Sequence, residues 1–399
     1  MNHIHNPSSE IRRTNRAAVL RILANHGAAS RAEICAALKL TPAGLSRIAR
    51  ELIDADLVVE GPAVSTRSGV GRRAGHMEIN PDGAFVLGVS ITANRRNVAL
   101  ANAVGEVLEQ IDISGVDASD PDKTLSAILA AANSLASPQR DWGSRLAGAG
   151  VSVATTGKVS PDGETSIGVL GWYNVPIGRW LGDQLGLPVT VTSRADSLVQ
   201  AEFAKSAEAG ARIFLINIGL GIGCAWLGAD GTGQPAPDLG NVAHIPNPAS
   251  DATCNCGRKG CFQVTGSGIA VVRSLAALAD DTIPPLADLS APLAVAVRAA
   301  DEGDLAARSA FHAAGSELAR AIDIAHNLLA PDFVYLAGET GRQADFVAGV
   351  RDGLARTGAP LPPEAVRISD IRTVEAAASA ALHAFVFNRD VDLERLNAA

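Results

Sequence analysis

The chain of 399 residues is 47% hydrophobic and 4% aromatic, which predicts a globular protein of two or three domains packed with aliphatic side chains. It shows neither an apolar run long enough to span a bilayer nor an apolar N-terminal signal, so a cytoplasmic protein with no membrane partner is expected. Its net charge of −8 is uneven: residues 1–80 carry 11 Lys and Arg against 7 Asp and Glu, and residues 81–399 carry 23 against 35, so the basic head is expected to meet an anionic partner, nucleic acid first of all.

The first 80 residues contain no Phe, Trp or Tyr, and their apolar positions are typical of three short helices. The first helix is expected to end near His26. Ser30 is predicted to cap the second helix (RAEICAALKL), with Glu33 completing a capping box, and Thr41 to cap the third (PAGLSRIARELIDADL). Two helices joined by a tight turn predict a helix-turn-helix whose later helix enters a DNA major groove.

A β-hairpin is predicted to follow, with strands at Val58–Glu60 and His76–Ile79 and an arginine-rich tip between them. Together with the helices it would form a winged helix, whose wing can touch the DNA backbone or the minor groove. The residues predicted to contact DNA are Arg31, Thr41, Pro42, Ala43, Gly44, Ser46, Arg47, Arg50, Arg72 and Arg73. The alternative is a helical protein-interaction module with a solvated arginine loop.

Beyond the turn at residues 80–83, strands alternate with helices, which predicts an α/β body of two lobes with a ligand cleft between them. The first lobe is expected over residues 81–200, and the second, with helices for dimerisation, over residues 201–399. Predicted strands are 84–91, 97–103, 106–113, 146–153, 188–192, 212–218, 224–229, 333–339 and 366–370, and predicted helices are 125–135, 176–185, 195–203, 268–278, 293–300, 305–329 and 374–387.

Three of the five cysteines and one histidine lie within residues 244–261. Thiolate and imidazole are the ligands that Zn²⁺ prefers, and glycines at 257 and 260 permit the turns that would bring them together. The predicted metal ligands are His244, Cys254, Cys256 and Cys261. Such a closed Cys₃His set predicts a structural zinc, and the alternatives are core cysteines or a disulfide. Cys35 and Cys224 are interpreted as small buried side chains.

The winged-helix head, the turn Gly219-Leu-Gly-Ile-Gly223, the His244–Cys261 stretch and Leu336-Ala-Gly338 together resemble the ROK family (repressors, open reading frames and sugar kinases), in its repressor branch. The resemblance covers nearly the whole chain. It implies an actin-like, hexokinase-like body, a ribonuclease-H-like duplication, with a structural zinc beside a sugar site. It also implies a ligand-responsive regulator, expected to repress genes of carbohydrate metabolism or transport, that binds a DNA operator as a homodimer or homotetramer.

The same resemblance implies that kinase chemistry has been lost. The family's enzymes carry Asp-x-Gly-Gly-Thr after the first strand, and the matching positions here are Ser90, Thr92, Ala93 and Asn94. Their catalytic Asp matches Arg194, which cannot accept a proton at neutral pH, although a two-residue shift of register would make Asp196 the base. No enzyme activity is therefore expected. The alternatives are a sugar kinase with an appended DNA-binding head and a module that sequesters another protein.

The implied sugar site differs from that of the family as well. Two family glutamates match Asn241 and Gln263, so the cleft loses carboxylates and gains Arg194. This predicts an anionic effector, such as a sugar phosphate or sugar acid, with a neutral polyol or no ligand as alternatives. The residues predicted to bind the effector are Ser193, Arg194, Asn241, His244 and Gln263.

Overall fold

A computed structural model describes residues 7–61, 75–137, 145–155, 159–206, 210–228, 234–236, 241–282, 285–358 and 361–397. The predicted tip of the wing, with Arg72 and Arg73, lies outside these ranges. Within them, none of the helices combines the length and the apolarity needed to cross a membrane.

The described part of the head consists of three helices and a small antiparallel sheet. Its elements are α1 (Pro7–His26), β1 (Ala29–Ser30), α2 (Arg31–Leu38), α3 (Pro42–Asp54), β2 (Val58–Gly61) and β3 (His76–Ile79), with the strands in the order β1-β3-β2. Both predicted caps are confirmed: Ser30 Oγ accepts from Glu33 N at 3.2 Å, and Thr41 Oγ1 accepts from Gly44 N at 3.1 Å. The apolar stripe of α3 is buried, which leaves its polar face to the solvent.

The first half of the body is built on a five-stranded sheet. Its elements are β4 (Phe85–Ile91), β5 (Arg96–Asn102), β6 (Val107–Asp112), α4 (Pro121–Leu135), β7 (Leu146–Val153), β8 (Thr165–Ile167), β9 (Trp172–Val175), α5 (Ile177–Leu185), β10 (Val189–Ser193) and α6 (Arg194–Lys205). The sheet has the order β10-β7-β4-β5-β6, and β8 pairs with β9 in a separate hairpin. Because β4, β7 and β10 are parallel, their carboxyl ends meet at one edge, where ligands bind in open α/β sheets.

The second half of the body repeats this plan. Its elements are β11 (Ile213–Ile218), β12 (Ile222–Leu227), α7 (Phe262–Thr265), α8 (Gly268–Leu275), α9 (Leu286–Asp301), α10 (Leu305–Leu329), β13 (Phe333–Ala337), α11 (Gly338–Gly341), α12 (Ala344–Thr357), β14 (Val366–Ile368), α13 (Thr373–Ala381), a π-helical turn (Leu382–Val386) and α14 (Leu393–Asn397). The sheet order is β12-β11-β13-β14, with β11, β13 and β14 parallel.

Helices α6 and α13 pack against each other between the two sheets. Alternate side chains of β11 therefore pack on α6 on one face and on the outer helices on the other. Glycines in the first sheet bring α13 into backbone contact: a Cβ on Gly88 would lie 2.5 Å from the Val374 carbonyl oxygen, and one on Gly150 would overlap the Ala377 carbonyl. Side chains at these two positions would push the helix off the sheet.

The head shares one hydrophobic core with the body. Leu20 of α1 belongs to the same buried cluster as Val86 of β4 and Leu382 of the π-helical turn. At the edge of this cluster, Arg145 Nη1 lies 2.7 Å from Asp56 Oδ2 of the head. Displacements of β4 or of the C-terminal segment are therefore transmitted to the head by packing.

Most predicted elements are confirmed, and the differences have local causes. The helix predicted at 293–300 begins at Leu286, with Pro292 inside it, where a proline usually ends a helix. The strand predicted to reach residue 339 ends at Ala337, because Gly338 has φ 86° and begins α11. The short β1, the β8–β9 hairpin and α12 were not predicted. Cys35 and Cys224 are half-buried instead of buried, the latter because it lines a cleft.

Candidate functional site

The four predicted metal ligands lie together in the segment 244–261, here called the metal loop. One ligand atom from each of His244, Cys254, Cys256 and Cys261 lies within 4.8 Å of all the others. The Sγ atoms of Cys256 and Cys261 are 3.6 Å apart, and Cys254 Sγ is 3.6 Å from His244 Nδ1. Two thiolates on a tetrahedral zinc lie about 3.8 Å apart when each Zn–S bond is about 2.3 Å. The donor set and its spacing therefore fit such an ion.

The backbone of the metal loop is cross-linked around these ligands. Isolated bridges join Pro246 to Cys261 and Thr253 to Lys259. Gly260 has φ 68°, and a Cβ there would overlap the Asn247 carbonyl, so only glycine fits. All five cysteines are free thiols, and 3.6 Å between two Sγ atoms is far from the roughly 2.05 Å of a disulfide, so the disulfide alternative is wrong.

Arg258 favours the ionised form of one of these thiols. Burial raises the pKa of the Cys256 thiol, but hydrogen bonds from the backbone and side chain of Arg258 and from the neighbouring thiols lower it to about 7. A thiol that ionises near neutral pH is a ready metal ligand, because the thiolate is the form that binds.

The metal loop borders a cleft of about 1580 Å³ between the two sheets. The cleft lies where the carboxyl ends of β4, β7, β10, β11 and β13 meet. The structure brings all the predicted effector residues to it: Ser193, Arg194, Asn241, His244 and Gln263. Six charged residues that were not predicted also line it, and four are arginines: Arg95, Arg96, Asp112, Glu339, Arg342 and Arg372. We refer to Arg194 and these four as the cleft arginines.

Arg194 is a half-buried cation without a hydrogen-bond partner for its Nε atom among the described residues. Burial lowers the pKa of its guanidinium to about 10, whereas Glu339 raises this pKa and Arg342 lowers it further. The group is thus charged at neutral pH. Arg96 likewise has Nε and Nη1 atoms that are buried without a partner in the described part of the chain. Unpaired buried guanidinium nitrogens are costly, and an anion is the ligand that would satisfy them.

The first turn of α6 places Asp196 in the same cleft as Arg194. Ser193 caps this helix: its Oγ accepts from Asp196 N at 3.1 Å and donates to Asp196 Oδ2 at 2.7 Å. Burial raises the pKa of the Asp196 carboxyl, and the hydrogen bond from Ser193 partly offsets the rise. Arg194 and Asp196, the two residues that the alternative alignments match to the catalytic Asp of the kinases, therefore both line the cleft.

Gln263 holds the glycine turn between β11 and β12. Its Oε1 accepts a hydrogen bond from Ile222 N at 3.0 Å, and a Cβ on Gly221 would overlap its amide nitrogen. The first residues of α8 also bind the turn, with Gly268 N donating to Gly219 O at 2.9 Å. Gln263 is therefore a positioning residue for the turn as well as part of the cleft.

The turn between β4 and β5 is closed by its own hydrogen bonds. Thr92 Oγ1 donates to Arg95 O at 2.9 Å and accepts from Arg95 N at 3.0 Å. Asn94 and Arg95 are exposed at its tip. The Thr92 hydroxyl, at a position matched to a glycine of the family's phosphate turn, is thus engaged within the turn.

In the head, the polar side of α3 is exposed. Its exposed predicted DNA contacts are Pro42, Ala43, Ser46, Arg47 and Arg50. The other two predicted positions lie at its N-terminal end, where Thr41 is the exposed N-cap and Gly44 is half-buried. Arg31 differs from these because its Nε donates to Glu60 Oε1 of β2 at 2.9 Å, which partly neutralises its charge.

Residues 86–381 match the model of the ROK family, and residues 12–74 match that of the MarR family. The chain is 25% identical over 281 residues to the putative xylose repressor of Caldicellulosiruptor sp. (strain Rt8B.4), over 68% of each chain. It is 25% identical over 341 residues to the DNA-binding transcriptional dual regulator NagC of Escherichia coli (strain K12), over 82% of this chain and 81% of NagC.

Solved structures show the same fold. A ROK family transcriptional regulator, described as a homolog of the E. coli MLC protein, superposes with a TM-score of 0.73 at 22% identity, over 98% of this chain and 100% of its own. The ROK hexokinase from Thermus thermophilus superposes with a TM-score of 0.58 at 18% identity, over 75% of this chain and 97% of its own. The expected winged helix and actin-like, hexokinase-like body are confirmed, and the chain belongs to the ROK family.

Proposed function

We propose that this protein is a ligand-responsive, DNA-binding transcriptional regulator that represses genes of carbohydrate metabolism or transport. The observation that carries the proposal is an exposed helix-turn-helix that shares one hydrophobic core with a body containing a polar cleft. The regulator function of two relatives, NagC and the putative xylose repressor, supports it. We assign the head to residues 1–80, the two lobes to residues 81–200 and 201–399, and the protein to the cytoplasm.

Helix α3 would read the major groove of an operator. Ala43 and Gly44 are small enough for its first turn to approach the bases, and Arg47 and Arg50 reach bases or phosphates from its exposed face. Helix-turn-helix proteins usually bind two half-sites through a two-fold axis, so a homodimer or homotetramer is the proposed DNA-binding form.

The effector would be a sugar-like anion, such as a sugar phosphate or sugar acid. Arg194 supports this choice because it is cationic and its Nε has no partner within the described residues. Asn241 and Gln263, which line the cleft, carry amides that can donate to and accept from sugar hydroxyls. A neutral sugar or no ligand are the outcomes that would contradict it.

A zinc ion in the metal loop would be structural. The Cys₃His set leaves no open position for substrate, so the ion would contribute stability by cross-linking the loop. His244 would then serve both sites, because it is a predicted ligand and also lines the cleft.

The signal would pass through the two central helices. Both α6 and α13 begin at the cleft, and α13 leads into the π-helical turn that packs in the core of the head. A ligand that prefers one arrangement of the lobes shifts the population toward it. The head would move with α13, and the half-site spacing would no longer fit the operator.

A sugar kinase with an appended DNA-binding head is the second candidate, because Asp196 lines the cleft and could act as a general base. Arg194 beside it, and the lack of a carboxylate in the β4–β5 turn, favour the regulator. ATP turnover with a panel of hexoses separates the two. Turnover that is lost in Asp196→Asn would establish the kinase.

The deciding experiment measures operator release. Fluorescence anisotropy with DNA from upstream of the protein's own gene would be followed while glucose or glucose 6-phosphate is added. Wild type and the control Arg298→Ala, an exposed arginine on α9 outside the cleft, should release DNA with the phosphate, and Arg194→Ala should not. Equal release by glucose in all three would contradict the anionic effector, and no DNA binding at all would contradict the regulator.

A further inference from the structure

Glu339 places a carboxylate among the cleft arginines. Gly338 turns the chain directly after β13 with φ 86°, and a Cβ there would overlap the Ile218 carbonyl, so the turn is tight and brings Glu339 to the cleft. Its Oε1 atom lies 4.0 Å from the position that a Cβ on Gly219 would take. The carboxylate therefore lies against the glycine turn, in the cleft that Arg194 also lines.

The groups that act on Glu339 come from two separate elements, the start of α6 and the turn between β4 and β5. Glu339 is partly exposed, but the surrounding protein still removes water from its carboxyl, and this desolvation raises the pKa of the group. Arg194, Arg95 and Asn94 lower the same pKa. The negative charge of Glu339 in turn stabilises the charged guanidinium of Arg194 and raises its pKa. No direct ion pair joins Glu339 and Arg194 among the described residues, and Arg194 Nε keeps its hydrogen free. The two charges therefore interact within one cleft without a direct ion pair.

This arrangement gives Glu339 opposite effects with and without a ligand. Without one, its charge offsets part of the cost of burying the Arg194 cation. When an anion binds to Arg194, the carboxylate becomes a like charge beside that anion and weakens its binding. An arginine site without such a carboxylate would hold anions more tightly and discriminate less among them.

We propose that Glu339 is a specificity-determining residue that competes with the anionic group of the ligand for Arg194 and thereby lowers the affinity of the cleft for anions. The proposal rests on the proposed function, in which the cleft binds an anionic effector at Arg194. It adds that the cleft contains its own competing anion, supplied by the segment that follows β13.

The test compares Glu339→Gln with wild type in the full-length protein, using calorimetry with inorganic phosphate and with glucose. Glutamine keeps the size of the side chain and removes its charge. We expect the Kd for phosphate to fall about tenfold, the change that one nearby like charge produces, while glucose binding stays the same. Because burial outweighs the arginines and raises the pKa of the Glu339 carboxyl, the Tm of the unliganded variant should not fall at neutral pH. Glu302→Gln, at an exposed glutamate beyond the end of α9, is the matched control and should behave as wild type.

Two further variants complete the design. In an Arg194→Ala background, Glu339→Gln should give no gain in phosphate affinity, because the cation for which the carboxylate and phosphate compete is absent. Glu339→Ala should gain affinity in the same direction as Glu339→Gln. Circular dichroism and Tm would establish that each variant is folded before binding is compared.

The outcomes separate this proposal from the proposed function. Phosphate binding that requires Arg194 but is unchanged or weaker in Glu339→Gln overturns the competition and leaves the anionic effector in place. A gain in phosphate affinity from Glu339→Gln that persists in the Arg194→Ala background also overturns the competition. If no variant binds phosphate, both the competition and the anionic effector are contradicted. Operator binding in the same samples then shows whether the protein is still a DNA-binding regulator.

Discussion

The metal loop and the cleft arginines border the same cleft, but their polar groups are satisfied in different ways. In the metal loop, three thiols and an imidazole lie within 4.8 Å of one another, and bridges fix the backbone around them. Among the cleft arginines, Arg96 and Arg194 have buried nitrogens without partners in the described part of the chain. Groups that satisfy one another stabilise a fold, whereas buried polar groups without partners cost stability and are expected where a ligand binds. The difference is consistent with the proposed roles, a structural metal in the metal loop and a ligand at the cleft arginines.

Breaking the metal loop should have the largest effect on stability. Cys254→Ser, or a zinc chelator, is expected to lower the Tm by about 10 °C, because a closed metal site contributes folding free energy directly. Cys35→Ser, which changes a half-buried thiol in the head, is the control and should leave the response to chelator intact. Elemental analysis should find about one zinc per chain. Metal-free protein with an unchanged Tm would contradict the structural role.

Removing Arg194 should separate binding from stability. Arg194→Met is expected to weaken the affinity for an anionic sugar about 100-fold, the loss of charge-assisted hydrogen bonds. Its Tm at neutral pH should rise: a base whose pKa falls to about 10 on folding costs stability at every pH below that value, and the cost fades only as the pH rises above it.

Arg342→Met is the contrasting variant within the cleft arginines. Arg342 donates to the carbonyl oxygens of Ser369 and Ile371, both at 2.7 Å, so its loss should lower the Tm. Equal changes in Tm for Arg194→Met and Arg342→Met would contradict the difference in hydrogen bonding between the two arginines.

A variant in the head should affect neither the metal loop nor the cleft arginines. Arg47→Ala on the exposed face of α3 is expected to weaken operator binding about tenfold and to reduce the salt slope by about 1, while the Tm and the anion affinity stay the same. DNA binding titrated at several salt concentrations measures both. An unchanged slope would mean that α3 does not contact the phosphates through this residue.

Asp196 should give the smallest effect, and one that depends on pH. Burial raises the pKa of its carboxyl, so the ionised form costs stability above the folded pKa, and the cost disappears as the pH falls through it. Asp196→Asn should therefore raise the Tm by about 2 °C at neutral pH, with a gain that vanishes in acid. Thermal melts across this pH range would show it, and a gain that grows in acid would contradict the assignment.

The two regions also differ in how far the sequence predicts them. The clustering of His244, Cys254, Cys256 and Cys261 was predicted because they lie in one short segment with glycines at the turns, so their chemistry and spacing are local. Arg96, Arg342 and Glu339 were missed, because only the order of the strands brings residues so far apart in the chain to one cleft. Ligand-binding residues concentrate at the carboxyl ends of parallel strands. Glu339 lies at the end of the predicted strand 333–339, so this rule would have identified it.

The core shared by the head and the C-terminal segment has a consequence for how the protein is made. Leu52 of α3 and Leu382 belong to one buried cluster, yet 330 residues of chain separate them. At ribosomal speed this distance corresponds to a delay of roughly 20 to 60 seconds. During that time the three helices of the head have left the ribosome with one apolar side uncovered. A nascent chain therefore completes the core of its winged-helix head only after the whole body has been synthesised.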